Sequence, residues 1–547
     1  MADGKVTPML RICGLVIEGQ SDRGMVPIIR GIDLDLRRGE VLGLIGESGA
    51  GKSTLGLAAM GFVRDGCRIA AGSIEFDGID LTGASAQVRQ RLRATRIAYV
   101  AQSAAASFNP ARPLIEQAIE NAVQYGGVSA GQATAEAIAL YRQLQLPDPE
   151  QIGFRYPHQV SGGQLQRAMT VMAMVSKPDL IVFDEPTTAL DVTTQIEVLA
   201  AIRNAVEAIG TSAIYISHDL ALVAQMADRI MVLRHGELVE SADTRTMMES
   251  PQKSYTRSLW AVRSFRASPK AQPETGATPL LSVQSVSAAY GAVPVLRQVS
   301  LTLHAGRTTA IVGESGSGKS TLARVITGLL PPREGAIVFE QAPLKPDYRK
   351  RSRDDLRKVQ LIVQTPDTAL NPRQRVRDII GRPLSFYLGL KGAERTQRVR
   401  ALLTEIELDP DTYADRFPGE LSGGQKQRVC IARALAAEPS LLICDEITSA
   451  LDQLVAEEVL KLLDRLQRER GLAYLFITHD LATVRAIADD VLVMKDGEVI
   501  DSGSRERIFA PPFKPYTDLL LSSLPEMDPD WLDRLLASRS AAAQQAT

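Results

Sequence analysis

"GESGAGKST" spans Gly46–Thr54, and "GESGSGKST" spans Gly313–Thr321. An apolar run precedes each, "EVLGLI" before the first and "RTTAIV" before the second. Gly46-x4-Gly51-Lys52-Ser53 and Gly313-x4-Gly318-Lys319-Ser320 have the spacing of a phosphate-binding loop set between a strand and a helix. Gly46, Gly49 and Gly51, matched by Gly313, Gly316 and Gly318, let backbone N–H groups converge on phosphate oxygens, and the following helix adds its positive N-terminal end. Lys52 and Lys319 are placed to reach the outer phosphates, while Ser53 and Ser320 each offer a hydroxyl to Mg2+. Ser48, Thr54, Ser315 and Thr321 complete the predicted nucleotide contacts. A single such stretch could be a glycine turn with a solvated lysine. Two in matched settings are not.

The pair is one of five. "VAQ" ends at Gln102 and "IVQ" at Gln364; "VSGGQLQR" covers Val160–Arg167 and "LSGGQKQR" covers Leu421–Arg428. "LIVFDE" carries Asp184 and Glu185, and "LLICDE" carries Asp445 and Glu446. "ISHD" and "ITHD" hold His218 and His479. The order is the same in both halves and the offsets run only from 261 to 267. A period of that length is a duplicated domain, not a short solenoid repeat. "ASPKAQPETGATP" (267–279) has linker composition, so domain one is expected at 1–266 and domain two at 280–547. Near-continuous apolar strands alternate with helix-period segments, which predicts an α/β fold with a parallel-type sheet in each half. The stretches near 103–160 and 366–420 read as helical inserts.

Asp184 and Asp445 close buried strands, where a carboxylate needs a cation or hydrogen bonds. Mg2+ suits them, since it keeps several waters and needs few protein ligands. Gln102 and Gln364 could add a side-chain carbonyl to that shell. Glu185 and Glu446 are placed to orient or deprotonate an attacking water. His218 and His479 sit at matched positions in a chain with five histidines, which favours a functional role over a structural one. Ser161-Gly162-Gly163-Gln164 and Ser422-Gly423-Gly424-Gln425 open helices as second anion sites. One such site per half makes sense if it closes over the other half's nucleotide.

Bulk properties narrow the class. The 547 residues carry a net charge of −2 and are 45% apolar. No basic balance argues for nucleic acid. Cys13, Cys67, Cys430 and Cys444 lack metal-type spacing and are expected reduced and buried. No signal-peptide layout opens the chain and no window reaches a membrane-spanning length.

Together these residues resemble the ATP-binding cassette (ABC) ATPases over nearly the whole chain. The resemblance implies two tandem P-loop NTPase domains, each a RecA-like core with a helical subdomain. Walker A, glutamine loop, signature, Walker B, D-loop (Ala189-Leu190-Asp191 and Ala450-Leu451-Asp452) and switch histidine all occur twice. Carried over, the first P-loop, Gln102, Asp184, Glu185 and His218 would work with Ser422–Gln425. The second P-loop, Gln364, Asp445, Glu446 and His479 would work with Ser161–Gln164. "QSAAASFNPA", "QTPDTALNPR", "YPHQVSGGQ", "SPQKSYTRSLWAV" and "APPFKPYTDLLLSSLP" resemble the oligopeptide/dipeptide/nickel importer branch.

That resemblance implies ATP and Mg2+ as ligands and import of peptides or similar small solutes. It implies two transmembrane permease subunits as partners, with an extracytoplasmic solute-binding protein acting indirectly. The location implied is peripheral, on the cytoplasmic face of the inner membrane. A soluble tandem ABC ATPase acting on ribosomes or nucleic acid is the alternative, but the short linker has no basic run. Some positions depart from the family. No cysteine cluster lies near Tyr255 or Tyr516, so no iron–sulfur cluster is expected. Val160 replaces a leucine and Ile447 a proline. Tyr290 resembles the adenine-stacking aromatic, yet the first half has no aromatic residue before Phe62.

Overall fold

The computed structural model describes residues 7–21, 24–187, 190–261, 265–267, 270, 276–449 and 451–545. Two compact units result: residues 1–261 with 525–547, and residues 262–524. Sequence position alone allots 525–547 to the second domain. Their packing groups them with the first unit instead, for reasons visible in the side chains. Leu532 is fully buried, and the Gln225 amide donates to the carbonyls of Glu526 (3.2 Å) and Asp528 (2.8 Å) while accepting from the Leu532 N–H (3.0 Å). Arg245 pairs with Asp530 at 2.7 Å, and Arg203 pairs with Asp533.

Each unit has a six-stranded sheet. In the first the spatial order is Glu237–Asp243, Arg229–Arg234, Val41–Ile45, Ser212–Ile216, Leu180–Asp184, Ile97–Val100. In the second it is Glu498–Ser504, Asp490–Lys495, Thr308–Val312, Ala473–Ile477, Leu441–Asp445, Val359–Ile362. All neighbours are parallel except the outermost pair, Glu237–Asp243 or Glu498–Ser504 on its partner. Val41–Ile45, Ser212–Ile216 and Leu180–Asp184 are buried at every position. Helices cover both faces of such a sheet, which is why these strands lack polar alternation.

A four-stranded antiparallel sheet accompanies each core, ordered Gly24–Leu36, Leu10–Ser21, Cys67–Phe76, Ile79–Asp80 in the first unit. These strands do alternate: Leu10, Ile12, Leu15 and Ile17 face inward. Cys13 lies on the outward phase of that alternation and is exposed, and Cys67 is half-buried, so only Cys430 and Cys444 are buried as expected for all four.

The predicted inserts are helical. Leu114–Gln124, Ala130–Gln143 and Gly162–Met174 pack together in the first unit, as do Val376–Leu388, Gly392–Glu405 and Gly423–Leu435 in the second. Arg167 and Arg428, the last residues of the two SGGQ stretches, tie these helices down. Arg167 donates to the Gln145 carbonyl at 2.7 Å, and Arg428 binds Glu407 (2.6 Å) and Glu458 (3.0 Å).

Candidate functional site: a duplicated phosphate-binding centre

The strand Val41–Ile45 delivers Gly46–Thr54 to one end of the first sheet, and the helix Lys52–Ala59 follows. Thr308–Val312 and the helix Lys319–Ile326 repeat this for Gly313–Thr321. At the turn of each loop Gly49 and Gly316 take left-handed backbone, φ 79° and 84°, which a side chain would resist. Lys52 is buried, and its ammonium donates to the carbonyls of Gly46 (2.7 Å) and Glu47 (2.9 Å). Lys319 does the same with Gly313 (2.8 Å) and Glu314 (2.7 Å). Each lysine thus braces the loop that its charge serves.

Around each loop the predicted residues meet. The Ser53 hydroxyl donates to Asp184 Oδ1 at 2.9 Å, and Ser320 to Asp445 Oδ1 at 3.0 Å. A hydroxyl and a carboxylate in contact form an oxygen donor pair of the kind a hard divalent cation accepts. Gln102 Nε2 donates to Glu185 Oε2 at 2.8 Å, and Gln364 Nε2 to Glu446 Oε2 at 2.7 Å. A carboxylate only accepts, so each glutamine turns its amide nitrogen, not its carbonyl, toward the glutamate.

Both glutamates adopt left-handed backbone, φ 50° at Glu185 and 49° at Glu446. Each is held there by its own N–H, which donates to the end of the neighbouring strand: Glu185 to Ile216 O and Glu446 to Ile477 O, both at 2.9 Å. Such conformations cost about 1–3 kcal/mol and persist where the surroundings enforce them. His218 Nδ1 lies 3.1 Å from Glu185 Oε1, and His479 Nδ1 lies 3.5 Å from Glu446 Oε2.

These contacts move protonation. For His218, burial disfavours the charged ring, but the Glu185 carboxylate outweighs it and raises the pKa above 6.5. For His479 the Glu446 hydrogen bond is the largest cause, again raising the value above 6.5 against burial. In return His479 holds the Glu446 carboxyl below its ordinary 4.5. Burial raises Asp445 above 3.8, opposed by the Ser320 hydrogen bond. The His479 contribution to stability is therefore complete below pH 6.5 and is lost as pH rises through the raised value. The Glu446 contribution is present above 4.5 and is lost as pH falls through the lowered one. Glu446→Gln is expected to return the His479 titration toward or below 6.5, read by NMR of histidine-labelled protein. An unmoved His479 would show that Glu446 is not the cause.

The SGGQ stretches have a local explanation as well. Ser161 caps the helix Gly162–Met174: its hydroxyl accepts from the Gln164 N–H (3.3 Å), and Gln164 Oε1 accepts from the Ser161 N–H (3.0 Å). Ser422 and Gln425 repeat this capping box at the same distances. It satisfies two N–H groups of the first turn while the glycines leave the others uncovered. A Cβ added at Gly162 would meet nothing within 4 Å. Asp191 and Asp452 cap the helices Val192–Ile209 and Gln453–Arg470; Ala189 and Ala450 lie outside the described residues.

Three tyrosine contacts escaped the sequence reading. Tyr99 donates to Asp184 Oδ2 at 2.7 Å, so both oxygens of that carboxylate have a hydroxyl partner. Leu361 takes the matching place in the second unit: Tyr99 pairs with Val182 and Leu361 with Ile443 on the corresponding strands. Aligning the two halves flags this, because a phenol inside an apolar strand needs an acceptor. Tyr255 and Tyr516 reach the two P-loops, at Glu47 and Glu314.

Two family models match the chain. That of the ABC transporter covers residues 29–188 and again 296–449, and that of the oligopeptide/dipeptide transporter C-terminal region covers 500–547. The glutathione import ATP-binding protein GsiA of Pectobacterium atrosepticum is 36% identical over 92% of this chain and 87% of its own. YejF of Escherichia coli K12, an uncharacterized ABC transporter ATP-binding protein, is 36% identical over 94% of this chain and 99% of its own. The structure of cbiO1 from Clostridium perfringens, part of the ABC transporter complex cbiONQ, overlays with a TM-score of 0.39 at 32% identity, covering 43% of this chain and 91% of that one. With the family model matched once around each P-loop and its Walker B acids, the chain belongs to the ABC transporter family and carries two of its ATPase domains.

Proposed function

We propose that this chain is the energy-coupling ATPase of an importer for peptides or similar small solutes, glutathione-like molecules included. The observation that carries this is the doubled centre: lysine, aspartate, glutamate and histidine are retained in both halves and gathered in the same geometry. The matched oligopeptide/dipeptide C-terminal region and the glutathione import relative support the branch.

On this proposal each ATP is held by one half's P-loop and completed by the other half's Ser-Gly-Gly-Gln, so ATP draws the halves together and hydrolysis lets them part. Ser53 with Asp184, and Ser320 with Asp445, would hold Mg2+, with Gln102 and Gln364 beside them. The ion would supply charge neutralisation on the phosphates. Glu185 and Glu446 would orient the attacking water and take its proton, each positioned by its histidine and glutamine. Among the described residues no helix is long and apolar enough to cross a membrane. Contact with the bilayer would therefore come through two permease subunits, placing the chain peripherally on the cytoplasmic face, with a solute-binding protein delivering cargo from outside. Affinity capture of the full chain from detergent-solubilised membranes tests this. Two permease subunits should co-purify; recovery with ribosomes and without permeases would sink the importer reading.

The two nucleotide sites are expected to differ. Tyr290 is 42% exposed, and its hydroxyl accepts from Arg324 at 2.9 Å, leaving a ring face available for a base. In the first half the corresponding hairpin exposes Met25 and Val26. Stacking on an aromatic ring is worth about 1–3 kcal/mol per base. Tyr290→Ala should weaken ATP at one of two sites by that amount, measured by calorimetric titration. Equal affinities that the substitution leaves untouched would refute the asymmetry.

A further inference from the structure

The Tyr-Thr pair that closes each half has no part in the chemistry above. In the first unit the helix Ser254–Ala261 sets Tyr255 against the P-loop, where its hydroxyl oxygen accepts the Glu47 backbone N–H at 3.3 Å. In the second, the helix Pro515–Ser522 sets Tyr516 against Glu314, whose N–H donates to the phenol at the same 3.3 Å. Glu47 and Glu314 are the second residues of their loops, and their carbonyls accept from Lys52 and Lys319. The backbone on either side of that Cα is therefore held, by the tyrosine on one side and the lysine on the other.

The rings themselves are fixed. Tyr255 and Tyr516 are buried, with the Arg234 guanidinium 4.5 Å from one ring centroid and the Lys495 ammonium 4.8 Å from the other. Arg234 and Lys495 end the strands that adjoin the P-loop strands. Helix, strand end and loop entry thus form one packed group, built twice from different local sequences: "KSYTRSLW" and "KPYTDLLL".

We propose that Tyr255 and Tyr516 are positioning residues that hold the entry of each P-loop in its phosphate-receiving shape, making the helices Ser254–Ala261 and Pro515–Ser522 a control on ATP affinity. A loop already set in its bound form has less freedom to lose when phosphate arrives, and affinity rises accordingly. Removing the hydroxyl takes this acceptor from the Glu47 or Glu314 N–H and loosens the loop without touching any group that contacts the phosphates. The role presumes that these loops hold ATP, as proposed above.

The test uses the full chain with Tyr255→Phe, Tyr516→Phe and the double variant, and Tyr125→Phe on an exposed tyrosine as control. Phenylalanine keeps the ring and its cation contact, so folding is preserved. The loss of one hydrogen bond corresponds to roughly 2- to 12-fold. Mg-ATP titration should show one of two sites weakened by that factor in each single variant and both in the double. KM for ATP should rise in step while kcat at saturating ATP moves less than about twofold. A lowered melting temperature with unchanged ATP affinity and KM would make the tyrosines structural only and overturn the proposal, as would no change in any of these. Failure of the unsubstituted chain to bind ATP would instead count against the function itself.

Discussion

Glu185→Gln together with Glu446→Gln should leave ATP bound and lower its turnover by about 10²- to 10⁴-fold, the usual contribution of a positioned general base. The geometry explains why this pair of changes isolates chemistry from binding. Glutamine keeps the shape of each side chain, and its carbonyl oxygen can still accept from Gln102 or His218, from Gln364 or His479. The main-chain bonds to Ile216 and Ile477 that hold the left-handed turn are unaffected. Only the ability to take a proton is lost. Single-turnover assays with radiolabelled ATP, alongside filter binding, separate the two effects. Because both centres keep the full set, each single substitution is expected to leave a reduced but measurable rate. Wild-type turnover in the double variant would remove both glutamates from the base role.

An equally large loss is expected from Gly46→Ala or Gly313→Ala, through packing rather than chemistry. Gly46 has φ 147° and Gly313 φ 152°, within the region that disfavours a side chain. A Cβ at Gly46 would stand 2.1 Å from the Leu233 carbonyl oxygen, and one at Gly313 would stand 2.1 Å from that of Met494. Those oxygens belong to sheet strands and cannot swing aside. The loop must therefore leave the strand, and the lysine that donates to the Gly46 or Gly313 carbonyl goes with it. Strained backbone and overpacking each cost about 1–3 kcal/mol. Differential scanning calorimetry should show a lower melting transition and nucleotide titration the loss of one site. Gly49→Ala and Gly316→Ala offer the contrast: a Cβ at either would meet nothing within 4 Å, so only the backbone strain remains. Equal behaviour of Gly46→Ala and Gly49→Ala, or of Gly313→Ala and Gly316→Ala, would contradict the close approach.

The strands and the acids at their ends could be read directly from the chain, because both faces of the sheet are covered and apolar runs survive without alternation. The five repeated landmarks then located Ser53, Asp184, Glu185 and His218 and their twins, residues that the fold does gather. Contacts between distant, unremarkable residues were invisible. Nothing in "IAYVAQ" announces that the Tyr99 phenol reaches Asp184, 85 positions away. Nothing in "KSYTRS" announces a bond to Glu47, 208 positions back. The SGGQ stretches suggest a phosphate contact, but serine followed three residues later by glutamine is also a helix start signal, and the capping box is the use the structure displays. Cys13 departs from the burial expected of all four cysteines because it falls on the solvent-facing side of the strand Leu10–Ser21.

The final helix has a practical bearing on how this gene can be handled. Residues 525–547 complete the first unit through the Gln225 amide, Leu532 and the Arg245–Asp530 pair. A split at the linker into two separately expressed products would hand that segment to the wrong polypeptide. The amino-terminal product would then expose to water the apolar seat of Leu532 and lose the Gln225 bonds until its missing piece was supplied in trans.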